Sequence, residues 1–229
     1  MAYGWTLRYE ENTLSHHGIE GQKWGVRNGP PYPLTADALA SKIYREANRR
    51  IIKISSDVVA CAKGSKSRPY GLEHQLKTRE SIKRKIETDA EEKGLSLGEA
   101  ANKIRDAIRF TTISDANNFV SNYEKFKDLM ADKGYSEVKC KNYWALFNEG
   151  KAKHKSVTSN FQTRDGYIFE VQFQTPSSQS VKDRKVPLYE EVRNPRTSAT
   201  RKREIEVEME RMASEIEDPV NINRIKNHG

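Results

Sequence analysis

The residues of this sequence best suited to chemistry are one glutamate inside a strand-forming run and a group of lysines earlier in the chain. The run is Tyr167–Thr175, in which apolar and polar residues alternate, so it predicts a strand with one packing face and one polar face. Glu170 lies in the middle of the polar face, where a carboxylate needs a partner or water. Most polar faces of antiparallel sheets simply meet solvent, so a site and a solvated face are both open.

A predicted hairpin over residues 153–175 positions this glutamate. Arg164, Asp165 and Gly166 suit a three-residue loop in which the glycine takes the left-handed conformation. The resulting register pairs Glu170 with Asn160, Gln172 with Thr158, Gln174 with Ser156, Phe169 with Phe161, and Phe173 with Val157.

The earlier lysines lie in Leu76–Ile86, which predicts a helix. Lys77, Ser81 and Lys85 recur every four residues and would share one face of it. Two ammonium groups and a hydroxyl on one face suit a polyphosphate. An ordinary solvated basic face is the alternative interpretation.

A second carboxylate, Asp106, stands at the entrance of a predicted strand that runs to Ile113. An aspartate in this position also commonly caps a loop, so both roles are open. The other predicted elements are helices at 35–63, 96–105, 176–191 and 198–217, a helix capped by Asp115 with an apolar stripe from Phe119 to Met130, and a strand at 135–143. The charged last helix would pack on the core or on another copy of the chain.

Composition limits the function classes further. The chain has 229 residues, a mass of 26.3 kDa, a net charge of +8 and a pI near 9.3, which favours phosphate-rich partners. Cys61 and Cys140 have no metal-ligand spacing and fit a reducing compartment. No apolar run predicts a membrane span or a signal peptide, so we expect a soluble intracellular protein with no membrane partner.

We expect three parts: an extended arm over 1–34, a domain over 35–195, and a charged helix and tail over 196–229. The arm contains His16–Arg27, which reads HHGIEGQKWGVR. It resembles a motif, HHGIxGQKWGVR, near the start of many proteins encoded in tailed-phage and prophage structural modules. The resemblance implies a phage or prophage origin, with a location in the bacterial host cytoplasm or on the virion.

The order of the chemical pieces resembles the synthetase domain of the RelA/SpoT-type alarmone synthetases, including the small and toxic members. The resemblance covers roughly Leu72 to Arg193, and its best motif is Glu170-Val171-Gln172 after a tight turn. It implies an α+β fold, a nucleotidyltransferase-like mixed sheet of four to five strands flanked by helices. It also implies a pyrophosphokinase that transfers the β,γ-pyrophosphate of ATP to a 3′-hydroxyl of a guanine nucleotide or of the tRNA 3′ end.

The same resemblance implies roles for individual residues. Asp106 and Glu170 would be catalytic and would bind Mg²⁺, with Glu170 also activating the attacking hydroxyl. The residues implied to bind ATP are Lys77, Ser81, Lys83, Lys85 and Arg109, and those implied to bind the acceptor are His154, Ser156 and Gln172.

Four positions differ from the family pattern. Arg109 follows Asp106 by three residues where the family has five, and His154 replaces a tyrosine that stacks on the acceptor guanine. Gln75 and Gln174 stand where basic residues are usual. Expected partners are ATP and GDP or GTP, tRNA, an antitoxin or virion proteins, and a further copy of the chain. The competing hypothesis is a non-catalytic virion-associated or assembly protein built on the same fold.

Overall fold

The computed structural model describes residues 35–229, so the expected arm and its HHGIEGQKWGVR motif lie outside the described residues. The helices of the described part are α1 (Ala36–Gly64), α2 (Arg79–Lys93), α3 (Leu97–Asn102), α4 (Phe119–Asp132), α5 (Tyr143–Asn148), α6 (Pro176–Arg193) and α7 (Ala199–Ser214). The strands are β1 (Arg68–Tyr70), β2 (Arg109–Ile113), β3 (Ser136–Asn142), β4 (Val157–Gln162) and β5 (Ile168–Gln174). Short 3-10 turns occupy Leu72–His74 and Ile222–Arg224.

The strands form one five-stranded sheet in the order β1-β2-β5-β4-β3. β2 and β5 are parallel, and the other neighbouring pairs are antiparallel. This arrangement confirms the predicted α+β fold with a mixed sheet of four to five strands. The parallel pair matters most, because it places the strand that follows Asp106 directly beside the strand that contains Glu170.

The predicted hairpin is present in the predicted register. Asn160 pairs with Glu170, Thr158 with Gln172, Phe161 with Phe169, and Val157 with Phe173. Gly166 has a φ of 86°, the left-handed conformation that the loop requires. The ladder begins at the pair of Val157 and Phe173, so the expected pair of Ser156 and Gln174 lies just beyond it.

Aromatic side chains fill the apolar face of the sheet. Phe126 of α4 packs edge-on against Phe161 and Phe173, with ring centroids 5.9 Å and 5.1 Å away. Phe169 contacts Tyr135 in the same way at 5.6 Å. α1 packs against α2 and α4 and closes this core. The stripe predicted on α4 is therefore core, and it fixes the sheet that carries the polar face.

Two local predictions are wrong. α2 begins at Arg79 with Thr78 as its N-cap, so Lys77 precedes the helix and shares no helical face with Lys85. α4 begins after Asn118, and Asp115 accepts the Asn118 N–H through its backbone carbonyl in a turn instead of capping the helix with its side chain. At α2 the residues before the helix pair with the entrance of β2, and at α4 they form a turn, so neither set joins the helix.

The C-terminal segment packs on the described core. α7 lies against α6 and buries Ile205, Met209, Met212 and Ala213. Beyond α7, His228 exchanges backbone hydrogen bonds with Cys140 of β3, and the Asn142 side chain donates to the carbonyls of Ile222 and Ile225. Within residues 35–229, no helix combines the length and the apolar character needed to cross a bilayer.

Candidate active site

Asp106 is held by two lysines at the entrance of β2. Lys77 Nζ lies 2.5 Å from Asp106 Oδ2, and Lys85 Nζ lies 2.9 Å from both carboxylate oxygens. Asp106 is only 8% exposed. Burial alone would raise its pKa, but the two ammonium groups outweigh that effect and hold the pKa of Asp106 below its usual value. The carboxylate is therefore ionised at neutral pH.

Backbone pairing brings Lys77 to this carboxylate. The Lys77 N–H donates to the Ala107 carbonyl, and the Arg109 N–H donates to the Gln75 carbonyl. Leu76 and Ile108 form the isolated bridge between them. Residues 75–77 thus extend the sheet beside the entrance of β2, whereas Lys85 reaches the same aspartate from the first half of α2.

Glu170 lies beside this cluster on the polar face of the sheet. It is the parallel register partner of Arg109, and its N–H donates to the Ile108 carbonyl. Its Oε1 accepts a hydrogen bond of 2.7 Å from Gln172 Nε2. Burial, and then the negative charge of Asp106, raise the pKa of Glu170 above its usual value, although Arg109 partly offsets them.

The two neighbouring carboxylates therefore differ in proton affinity. Asp106 remains an anion because two cations contact it, whereas desolvation and the charge of Asp106 favour the protonated form of Glu170. A pair of carboxyl groups with pKa values pushed apart is an arrangement in which one group holds charge and the other accepts a proton. Glu170 is suited to the second task.

The donor set at this point fits Mg²⁺. Among the described residues, no three His, Cys, Asp or Glu side chains gather as a metal cluster, so the protein would supply the two carboxylates alone. Asp106 Oδ1 accepts one lysine hydrogen bond and Oδ2 accepts two, which leaves acceptor capacity on Oδ1. Mg²⁺ commonly takes one or two carboxylates and completes its shell with phosphate oxygens and water.

A second group of expected site residues lies farther along the polar face. The His154 ring stacks on Tyr143 at the start of α5, with ring centroids 4.2 Å apart and planes tilted by 37°. Burial, together with Lys185 and Lys182, lowers the pKa of His154 to about 4, so this imidazole is neutral at physiological pH. Burial, and to a smaller extent the negative charge of Glu170, raise the pKa of Tyr143 above its usual value.

His154, Ser156 and Gln172, the three expected acceptor-binding residues, line one cavity of about 200 Å³ between the sheet and α6. Gln172 connects this cavity to the carboxylates. Its amide nitrogen donates to Glu170, and its Oε1 accepts a hydrogen bond of 2.7 Å from Lys182 Nζ. The acceptor residues and the two carboxylates thus form one continuous polar surface.

The remaining expected residues occupy different surroundings. The Ser81 hydroxyl accepts a hydrogen bond from Thr78 at the N-terminus of α2. Lys83 lies 3.9 Å from Glu87 on the same helix and is not one of the lysines that contact Asp106. Arg109 makes no ion pair within the described chain, and its guanidinium contributes to the field at Glu170 and Lys182. Their roles in ATP binding remain predictions.

Sequence reasoning missed three residues at this site, Tyr143, Lys182 and Lys185. The sequence assigns Tyr143 to the end of a strand, and its contact with His154 depends on the turn into α5. Lys182 and Lys185 are spaced i, i+3 on the helix that follows Glu170, which was an available signal. The burial of Lys185 had no local signal, because it depends on the segments that cover α6.

Comparison with known proteins gives likeness in fold alone. No protein-family model and no curated protein sequence matches the chain. Small alarmone synthetase 1 from Bacillus subtilis, bound to its product pppGpp, aligns with 76% of this chain and 86% of its own at 16% identity and a TM-score of 0.48. A GTP pyrophosphokinase family protein from Streptococcus pneumoniae aligns with 76% and 85% of the two chains at 14% identity and a TM-score of 0.46. The Type VI effector Tas1, in complex with its immunity protein, aligns with 76% and 94% at 14% identity and a TM-score of 0.45.

Proposed function

We propose that this chain is a pyrophosphokinase that transfers the β,γ-pyrophosphate of ATP to a 3′-hydroxyl of a guanine nucleotide or of the tRNA 3′ end. The observation that carries the proposal is that Asp106, held by two lysines, lies beside the partly buried Glu170, with Arg109 next to them. Phosphoryl transfer depends on positioning and charge stabilisation, and this cluster supplies both signs of charge on adjacent strands.

The proposal assigns a task to each residue of the cluster. Lys77, Lys85 and Arg109 hold the polyphosphate, while Asp106 fixes the two lysines. When bound at the two carboxylates, Mg²⁺ would neutralise phosphate charge. Glu170 accepts the proton of the acceptor hydroxyl as its oxygen attacks the β-phosphorus. The bond from the β-phosphorus to the α,β-bridging oxygen breaks, so that AMP leaves and the acceptor carries the pyrophosphate.

The finer parts of the proposal come from the sequence. The HHGIEGQKWGVR motif over residues 16–27 supports a phage or prophage origin. The net charge of +8 supports an RNA 3′ end as an acceptor alongside GDP or GTP. A toxic activity of this kind would have an antitoxin partner, and a virion location would instead bring structural partners.

The test is a transfer assay with ATP labelled at the γ-phosphate. The purified chain and Mg²⁺ are offered GDP, GTP and bulk tRNA separately, with Glu170→Gln as the matched control. We expect label on at least one acceptor and none with the variant. If no acceptor is labelled, and ATP with Mg²⁺ fails to protect the chain against thermal unfolding, the non-catalytic assembly protein becomes the better description.

A further inference from the structure

A lysine without an anionic partner is buried in the wall of the cavity beside the candidate site. Lys185 is 2% exposed and makes no hydrogen bond or ion pair within residues 35–229. Glu210 of α7 is the carboxylate that acts on it electrostatically, but it lies beyond the 4.0 Å of a salt bridge. An ammonium group that faces a cavity without a contacting anion leaves a positive charge unpaired there, so this cavity favours an anion supplied by a ligand.

A second lysine, one helical turn earlier, faces the same cavity. Lys182 Nζ donates to Gln172 Oε1 at 2.7 Å and contacts no carboxylate. Burial, and then the charge of Arg109, lower its pKa to about 8. His154 stays neutral beside the two lysines and adds no charge at physiological pH. The cavity is therefore cationic, and the hydroxyls and amides of Ser156, Thr158, Gln174 and Ser178 complete its polar lining.

The size of the cavity restricts what can enter. Its volume of about 200 Å³ is below the range of roughly 300–1,000 Å³ usual for whole ligands, so it would hold only part of one. The sheet forms its floor, α6 forms one wall, and Ile216 forms another. Lys155 fixes that second wall by donating to the Ile216 carbonyl at 2.6 Å and to Asp218 at 2.8 Å. A phosphodiester inside a nucleic-acid chain carries a sugar on each side and needs more room than a terminal phosphate, so a cavity of this size favours the terminal phosphate.

We propose that Lys182 and Lys185 bind the 5′-phosphates of a mononucleotide acceptor, so that the acceptor is selected by its phosphates more than by its base. The proposal rests on the proposed function and specifies how that site reads its acceptor. Gln172 contacts both Lys182 and Glu170, so phosphates bound at Lys182 leave the sugar hydroxyls within reach of the proposed base. The small platform for a base, where His154 already stacks on Tyr143, fits the same selectivity.

Transfer kinetics with a graded acceptor series test the proposal. The full chain with ATP and Mg²⁺ is offered guanosine, GMP, GDP and GTP, then ADP in place of GDP, and a short RNA with a free 3′-hydroxyl. We expect KM to fall by about 10-fold or more between nucleoside and diphosphate, as charge-assisted hydrogen bonds imply. Lys185→Met should raise KM for GDP by about 10-fold, leave guanosine nearly unchanged, and affect ADP as strongly as GDP.

Arg184→Met is the matched control, because it removes one positive charge from the exposed side of the same helix. It should leave KM for every acceptor unchanged. Lys182→Met is the second variant and should change the KM values in the same way as Lys185→Met. Thermal unfolding of each variant checks the fold. A KM for GDP unaffected by both lysine variants, or RNA used better than every mononucleotide, would overturn the proposal.

A calorimetric titration of GDP without ATP separates the two hypotheses. If no acceptor is labelled but GDP binds and Lys185→Met weakens that binding by about 10-fold, the phosphate pocket stands and the proposed reaction fails. If transfer occurs but GDP binds wild type and both lysine variants equally, the reaction stands and the phosphate pocket fails.

Discussion

The two faces of β5 place neighbouring residues in opposite environments. Phe169, Val171 and Phe173 are at most 2% exposed and pack among aromatic rings. Glu170 and Gln172, which lie between them, join a chain of hydrogen bonds that ends at Lys182. One strand therefore supports the core with odd-numbered residues and the candidate chemistry with even-numbered ones. Substitutions one residue apart should separate stability from activity.

Glu170→Gln should give the largest effect on activity. Removing the proton acceptor is expected to lower kcat by about 10²–10⁴-fold, the usual contribution of general-base catalysis. The glutamine keeps an oxygen that can accept the Gln172 hydrogen bond, so the fold should persist. Steady-state kinetics measure the first effect, and a variant with wild-type kcat would contradict the assigned role.

The stability of the same variant should depend on pH differently from that of the wild type. Because the pKa of Glu170 is raised in the folded state, ionising it costs stability as the pH rises above the pKa of the unfolded chain. Glu170→Gln should therefore unfold at a higher temperature than wild type at neutral pH, and the gain should disappear in acid where both side chains are neutral. Calorimetry across this pH range measures the difference.

Phe169→Ala should instead lower stability and leave activity nearly unchanged. The ring contacts Phe110, Phe161 and Tyr135, and its removal is expected to lower the free energy of unfolding by about 3–5 kcal/mol. Urea denaturation measures the loss. At temperatures where the variant remains folded, kcat should stay near wild type. A large fall in kcat without a loss of stability would show that the two faces are not separable.

Asp106→Asn tests how much the buried ion pairs at the entrance of β2 contribute to stability. Lys77 and Lys85 would lose their only carboxylate contact within the described chain, at an expected cost of about 2 kcal/mol after allowance for the partial exposure of Lys85. Glu87→Gln is the control, since it breaks an exposed pair with Lys83 and should cost less than about 0.5 kcal/mol. Equal losses in chemical denaturation would place Asp106 among ordinary surface ion pairs.

Thr78→Ala should give the smallest effect. Thr78 Oγ1 accepts the Ser81 N–H at the start of α2, and losing a threonine N-cap costs about 1 kcal/mol. Because α2 carries Lys85 to Asp106, a small rise in KM for ATP should accompany the loss. Thr78→Ser restores the cap and should restore both values. Failure of serine to do so would separate the cap from the position of Lys85.

The parts of the fold predictable from sequence were those governed by local periodicity. The register of β4 and β5 follows from period-two alternation and from one glycine loop, and both are local signals. Lys77 was misplaced because its position depends on the pairing of Leu76 with Ile108, more than thirty residues away. Lys185 was missed for a similar reason, since its burial comes from elements that pack on α6 only in the folded chain. Long-range contacts, not side-chain types, were the missing information.

The C-terminal tail covers part of one edge of the sheet. An unpaired outer strand offers a row of amide and carbonyl groups to other molecules and can seed aggregation. Here the hydrogen bonds between His228 and Cys140, and between Asn227 and Asn142, occupy part of the outer edge of β3. The opposite edge, β1, is only three residues long and contains Pro69. Both borders of the sheet are thus poor templates for fibril growth, so removing residues 222–229 is expected to increase self-association.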